Sequence, residues 1–403
     1  MTGRKRILFV DDEPNVLEGL RRSLSRMRKQ WDMVLVNGGR EALDLLSTDH
    51  FDAVVSDMKM PEMNGAELLT EIGMLYPHMV RFVLSGQPDD ETIIKAVRCS
   101  HQYLSKPCNT GKLCESLARA LTLVDLLPEI GLRGKVVGPG NLPCLPEILD
   151  EFCSELKGGS LETVDLASIA SRDPGLAVKM LHLANSSYFG SLSLISTVGK
   201  AVDIIGRHTL AKLVKQGDIF SAYTREAVKM HGLREKVERS VRYGEYSVFV
   251  ARQMGLEKDL EECAYALGLL IDVGEFLLIS IYPEKSLESI TQEQALTMDS
   301  IEAERKLYGV SHDEVGACFL GLPGLPDMLV DAIRYHHCPE AVEHENRLLT
   351  CVCAAEGLYR ELVLGEKDWL ESGSPGATLP DVRDGFRQWS DQAASGREEM
   401  ATV

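Results

Sequence analysis

Asp57 ends the apolar run Ala53-Val54-Val55-Ser56, and Asp11 and Asp12 end another, Ile7-Leu8-Phe9-Val10. Ser85 closes a third run, Val80-Arg81-Phe82-Val83-Leu84, and Lys106 follows Gln102-Tyr103-Leu104-Ser105. Together these side chains can perform phosphoryl transfer. A carboxylate is a competent nucleophile toward phosphorus. Three clustered carboxylates repel one another unless a hard divalent cation joins them, and Mg²⁺ takes oxygen ligands while keeping several waters. The Ser85 hydroxyl and the Lys106 ammonium would neutralise charge on the equatorial oxygens of the transferred group. Asp57 therefore reads as an aspartate built to be phosphorylated.

Such a site exists only if distant segments meet. Each of the four apolar runs has the pattern of a buried strand, and helical stretches separate them. That alternation predicts a parallel sheet with crossover helices, an α/β doubly wound fold of five strands. In an open sheet of this class ligands bind outside the carboxyl ends of the strands, which would gather Asp11, Asp12, Asp57, Ser85 and Lys106 into one pocket.

The segments Asp11-Asp12-Glu13-Pro14, Asp57-Met58-Lys59-Met60-Pro61-Glu62-Met63-Asn64-Gly65, Leu84-Ser85-Gly86 and Tyr103-Leu104-Ser105-Lys106-Pro107 resemble the receiver domain of two-component response regulators. The resemblance covers residues 1–127 and implies a flavodoxin-like domain. It implies that Asp57 is the phosphoacceptor, that Asp11, Asp12 and Asp57 with the Lys59 backbone carbonyl bind Mg²⁺, and that Ser85 and Lys106 sense the phosphate. Tyr103 falls at the aromatic switch position. A sensor histidine kinase is the implied phosphodonor.

At 403 residues with 44% hydrophobic content, the chain has room for two or more packed domains. Its ten cysteines lack the spacing of a disulfide framework, and Met1-Thr2-Gly3-Arg4-Lys5-Arg6 runs into a strand without a signal-like apolar segment. A reducing cytoplasm is expected. No apolar run is expected to reach the length of a membrane span, so no membrane insertion is foreseen. A net charge of −18 opposes general affinity for nucleic acid.

The helical pattern from Thr110 stops at Pro128, and glycines then interrupt periodicity, so 128–140 is expected to be a linker. Apolar residues at helical spacing fill 141–345, which predicts an all-α helical bundle with no recognition helix. Residues 346–403 are expected to be a C-terminal helical extension: helical spacing continues to about Leu364, after which the chain turns polar, with Trp369, Phe386 and Trp389 marking short docked helices before a disordered tail.

The bundle contains Asn141-Leu142-Pro143, Ile169-Ala170-Ser171-Arg172-Asp173-Pro174-Gly175-Leu176, Leu183-Ala184-Asn185-Ser186-Ser187-Tyr188-Phe189-Gly190, Ala201-Val202-Asp203-Ile204-Ile205-Gly206 and Ala332-Ile333-Arg334-Tyr335-His336-His337-Cys338-Pro339. These phrases resemble the HDOD family, output domains related to HD phosphohydrolases. Asp173-Pro174 also reads as a helix start, with Asp as cap and Pro in the first turn. Where an HD enzyme carries its paired His-Asp ligands, this chain reads Ile271-Asp272, and isoleucine has no lone pair to offer a metal. His312, His336 and His337 remain with Asp272, and they are read here as core or helix-terminal histidines.

The expected protein is thus a response regulator in which phosphorylation of Asp57 switches a non-catalytic output domain acting on a downstream protein. Either domain could support a homodimer. The competing readings are a receiver-controlled metal-dependent phosphohydrolase or cyclic-dinucleotide phosphodiesterase, a nucleic-acid-binding regulator, and a phosphate sink without output of its own.

Overall fold

The strand-forming runs of the first 105 residues become β1 (Lys5–Val10), β2 (Trp31–Val36), β3 (Ala53–Asp57), β4 (Val80–Ser85) and β5 (Gln102–Ser105). The computed structural model describes residues 4–86, 99–106, 109–138, 142–158, 164–185, 195–215, 219–287, 300–342, 345–366, 368–372 and 374–395. Pro107, Ser186, Gly190 and the tail after Ser395 lie outside them. The chain divides into two units, one built on Met1–Gly140 and the other on Asn141–His182, Leu194–Leu320 and Leu325–Val403.

In the first unit every strand pair is parallel and the order is β2-β1-β3-β4-β5. Strand order reverses direction between β1 and β3, which opens a crevice at their carboxyl ends. β3 and β4 are buried along their whole length because layers cover both faces, so near-continuous apolar runs are what such strands require. The flanking helices include α1 (Pro14–Ser23), α2 (Gly39–Leu46), α3 (Gly65–Leu75) and α4 (Thr110–Val124). One core joins Leu8, Val10, Val54 and Val83 of the sheet to Leu68, Leu69 and Ile72 of α3.

The expected linker is a helix. Residues Ile130–Val137 form α5, burying Leu132, Val136 and Val137 within the first unit. The Val137 carbonyl accepts from Arg81 Nη2 at 3.1 Å and from His101 Nε2 at 2.6 Å. The glycines that interrupt the sequence pattern are outweighed by these tertiary contacts, since propensity yields to packing.

The second unit is mostly helical: α6 (Pro146–Gly158), α7 (Val164–Ala170), α8 (Pro174–Asn185), α9 (Val198–Ile205), α10 (Arg207–Lys215), α11 (Arg225–Met230), α12 (Leu233–Gln253), α13 (Lys258–Leu270), α14 (Val273–Ile281), α15 (Ser300–Tyr308), α16 (His312–Gly321), α17 (Asp327–Tyr335), α18 (Arg347–Leu362) and α19 (Pro380–Ser395). The long α12 packs on α13 and α18. α18 buries ten residues, from Leu348 through Leu358, and is a core helix rather than part of an extension. Trp369 and Phe386 are buried with ring centroids 4.9 Å apart, and Trp389 is buried beside α19's other apolar residues.

One stretch does reach membrane-spanning length. Lys258–Ile281 runs 24 residues, and its most apolar 18-residue window has a mean hydropathy of 1.8, but 72% of that window is buried inside the protein. It holds α13, a turn and α14, and its apolarity is that of a core element covered on all sides.

Candidate functional site

Asp57 is the last residue of β3, while Asp11 and Asp12 follow β1 and Lys106 follows β5. The parallel register therefore delivers all four to the same edge of the sheet. Asp11 and Asp57 are nearly buried, 2% and 7% exposed. Lys106 Nζ donates to Asp11 Oδ2 at 2.7 Å and pairs with Asp57 Oδ1. The Lys59 amide donates to Asp57 Oδ2 at 2.6 Å, and the Glu13 amide donates to Asp11 Oδ1 at 2.9 Å. Burial opposes the ammonium of Lys106, but Asp11 and Asp57 outweigh it and raise its pKa.

The local chain explains how this geometry is held. Asn64 and Glu67 form a capping box at the start of α3, which pins the loop after Asp57. At Gly65 a Cβ would collide with the Asp57 backbone carbonyl, so only glycine lets α3 begin this close to β3. Beside the acids lies a depression of about 520 Å³ lined by Asp12, Met58, Lys59, Met60, Pro61, Asn64 and Ala66. Of the three acids, Asp12 is the one that lines it.

Ser85 ends β4 and is 2% exposed, and its carbonyl accepts from the Lys106 amide at 2.7 Å. Tyr103 on β5 is 3% exposed, with its hydroxyl donating to the Gly86 carbonyl at 2.9 Å. The ring is thus held inward in this structure.

Two carboxylates converging on one ammonium also mark a point where a hard cation would sit. With Asp12 lining the adjoining depression, the donor set is all oxygen and fits Mg²⁺. Asp57 can act as nucleophile, and Lys106 supplies a fixed positive charge next to it.

In the helical unit Ile271 is buried at 3% exposure in the turn between α13 and α14, and it offers no donor atom. Asp272 Oδ2 forms an ion pair with Arg239 Nη2 at 2.9 Å, while its Oδ1 lies 3.7 Å from both His312 Nε2 and His336 Nε2. The structure therefore brings together Asp272, His312, His336 and His337. Sequence reasoning missed Glu304, whose carboxylate accepts from His312 Nδ1 at 2.8 Å, and Arg239, which joins Asp272 to Glu275. Neither stands in a motif; only the pairing of helices reveals them. Burial works against charge on His312, but Glu304 and then Asp272 raise its pKa to about 10. Burial also disfavours the ionised Glu275, yet Arg239 and Lys236 pull it down to about 2.

Asp173 has a different task. It caps α8 through the Leu176 amide at 3.0 Å and also accepts from the Leu145 amide at 2.8 Å. It ties two segments together and faces no open site.

Family models match this chain twice: the response regulator receiver domain over residues 7–118 and the HDOD domain over residues 142–339. A Treponema pallidum (strain Nichols) chain described as an uncharacterized protein is 27% identical over 231 residues, covering 55% of this chain and 43% of that one. The response regulator protein PilR of Pseudomonas aeruginosa is 32% identical over 121 residues, 30% of this chain and 27% of that one. The chain thus spans less than half the length of these two relatives. Among solved structures, the receiver domain of an HD domain-containing protein from Pseudomonas fluorescens Pf-5 is 34% identical, with a TM-score of 0.29 over 30% of this chain and 96% of that one. The MmoQ response regulator from Methylococcus capsulatus str. Bath is 20% identical, with a TM-score of 0.48 over 61% of this chain and 98% of that one. The two family matches fall in turn on the parallel-sheet unit and the helical unit, and the chain belongs to the response regulators in which a receiver domain precedes an HDOD domain.

Proposed function

We propose that a sensor histidine kinase phosphorylates Asp57, and that this modification switches a non-catalytic HDOD domain which signals in the cytoplasm through contact with a downstream protein. The observation that carries the reading is the convergence of Lys106 on Asp11 and Asp57 at the carboxyl ends of β1 and β3. A carboxylate oxygen of Asp57 attacks the phosphorus of the kinase's phosphohistidine, and the P–N bond breaks to release the histidine. Lys106 and the Lys59 amide hold the Asp57 carboxylate in place before attack and screen charge as the phosphoryl group arrives. Asp11, Asp12 and Asp57, with the Lys59 carbonyl, would hold Mg²⁺, which when bound neutralises the clustered acids and the phosphoryl oxygens. Ser85 then donates to a phosphoryl oxygen, and its movement alters the support of Tyr103.

Signalling by contact rather than by hydrolysis is supported by Ile271, buried at the place where an HD enzyme needs an imidazole. A net charge of −18 supports an output that does not engage nucleic acid directly.

Incubation of the full chain with a small-molecule phosphodonor and Mg²⁺ is expected to add one acid-labile phosphoryl group, detected by intact mass. Asp57→Asn should abolish the gain, and Lys106→Ala should slow it roughly a hundredfold. Labelling that persists in Asp57→Asn would place the acceptor elsewhere and end this reading.

A further inference from the structure

Three imidazoles meet in the helical unit without an assigned task. His312 Nε2 lies 3.3 Å from His336 Nε2 and 3.1 Å from His337 Nε2. The outer nitrogens decide what those inner nitrogens carry. His312 Nδ1 faces the Glu304 carboxylate at 2.8 Å, and His336 Nδ1 faces the Ile333 carbonyl at 2.7 Å. Both partners only accept, so each Nδ1 bears a proton and each ring turns its Nε2 inward. One extra proton could bridge a single pair of nitrogens, whereas a metal ion satisfies all three.

The spacing fits a metal. Bonds of about 2.0–2.1 Å to a tetrahedral centre set ligand atoms about 3.3 Å apart. Two of the nitrogen separations match that edge. The three ring nitrogens lie within 4.8 Å of one another. Asp272 Oδ1, 3.7 Å from both His312 Nε2 and His336 Nε2, supplies a fourth corner, with its other oxygen held by Arg239. Glu304 behind His312 reproduces the carboxylate–histidine arrangement that orients metal ligands. At Gly274 a Cβ would strike the His312 carbonyl, so the first turn of α14 packs directly on the start of α16 and presses Asp272 toward the histidines.

We propose that Asp272, His312, His336 and His337 bind one divalent transition-metal ion of the zinc class, closing a staple across the α13–α14 turn, the start of α16 and the end of α17. Three imidazoles and one carboxylate suit such an ion better than Mg²⁺. Four protein ligands complete a tetrahedron and leave no position for a reactive water, so the site ties helices together and performs no hydrolysis. It is separate from the oxygen-only site of the receiver.

The test is cobalt titration of the full-length, tag-free, chelator-stripped protein in excess Mg²⁺, followed by visible absorption and metal analysis. One equivalent of Co²⁺ with the intense bands of four-coordinate cobalt is expected, displaced by Zn²⁺ and unchanged in Asp57→Asn. His312→Gln and Asp272→Asn should weaken it at least tenfold, with circular dichroism confirming that each is folded. Should either fail to fold, Glu304→Gln leaves all four ligands in place and is expected to cost about 10–100-fold in affinity. Binding without those bands, binding competed away by Mg²⁺, or binding unaltered in the folded variants would each overturn the proposal.

Discussion

Asp173 and Asp57 are both buried carboxyls, and their surroundings set them to opposite uses. Asp57 has a lysine at its side and is followed in sequence by Met58 and Lys59, which line an open depression. Asp173 is sealed, and although backbone amides of Leu145, Leu176 and Gly175 favour its ionised form, burial wins and lifts its pKa from 3.8 to about 6. The sign follows from linkage: a raised folded pKa means the protonated form is favoured by folding. Its contribution to stability is complete below about 3.8 and is lost as pH rises through about 6. A carboxyl-detected titration of Asp173 is therefore expected to place its midpoint near pH 6. Asp173→Asn, which cannot accept from Leu145 and Leu176 together, should lower stability overall while flattening its pH dependence across that interval. A midpoint near 4 would mean that the three amides outweigh burial.

Individual elements sit where close packing, rather than intrinsic propensity, puts them. α3 begins against the carbonyl of Asp57, and the Gly65 amide donates to the Met58 carbonyl at 3.0 Å. Adding one methyl there forces α3 away from β3. Gly65→Ala is expected to destabilise the receiver by about 1–3 kcal/mol, as overpacking does, and to slow phosphorylation because the loop bearing Lys59 moves with the helix. Chemical denaturation and the phosphodonor assay on one sample would check both effects; unchanged values would show that α3 shifts without disturbing the site. α5 teaches the same lesson from the other side. Its sequence is poor helix material, yet Arg81 and His101 secure its last carbonyl.

For the whole molecule, the proposed switch is a population shift, and phosphate transmits a signal only by binding one arrangement better than another. Hydrogen exchange of the full chain with beryllofluoride and Mg²⁺ measures this directly. Protection in residues 140–345 is expected to change in the wild type and to stay constant in Asp57→Asn. Changes that stop near Leu127 would leave the receiver uncoupled from the helical unit in isolation and favour a phosphate sink.

The meeting of Asp11, Asp57 and Lys106, where the phosphoacceptor site is proposed, was legible in the sequence because each of these residues directly follows or ends an apolar run. Once those runs are strands of one parallel sheet, right-handed crossovers leave them no choice but to end together. Asp11, Asp12, Asp57, Ser85 and Lys106 thus needed only local pattern and chain connectivity. The helical unit lacks that guarantee. Helix periodicity identifies a buried face but not which face it meets, so Glu304, His312, His336 and His337 converge through pairings that no local pattern specifies. The loss of one imidazole at Ile271 is visible in sequence, whereas whether His312, His336 and His337 meet beside Asp272 is decided by how their helices pack. Burial of Lys258–Ile281, the helical nature of 130–137 and the central place of α18 were likewise settled only by what packs around them. Local order follows from nearest neighbours along the chain, whereas a cluster drawn from three separate helical elements depends on the free energy of the assembled core.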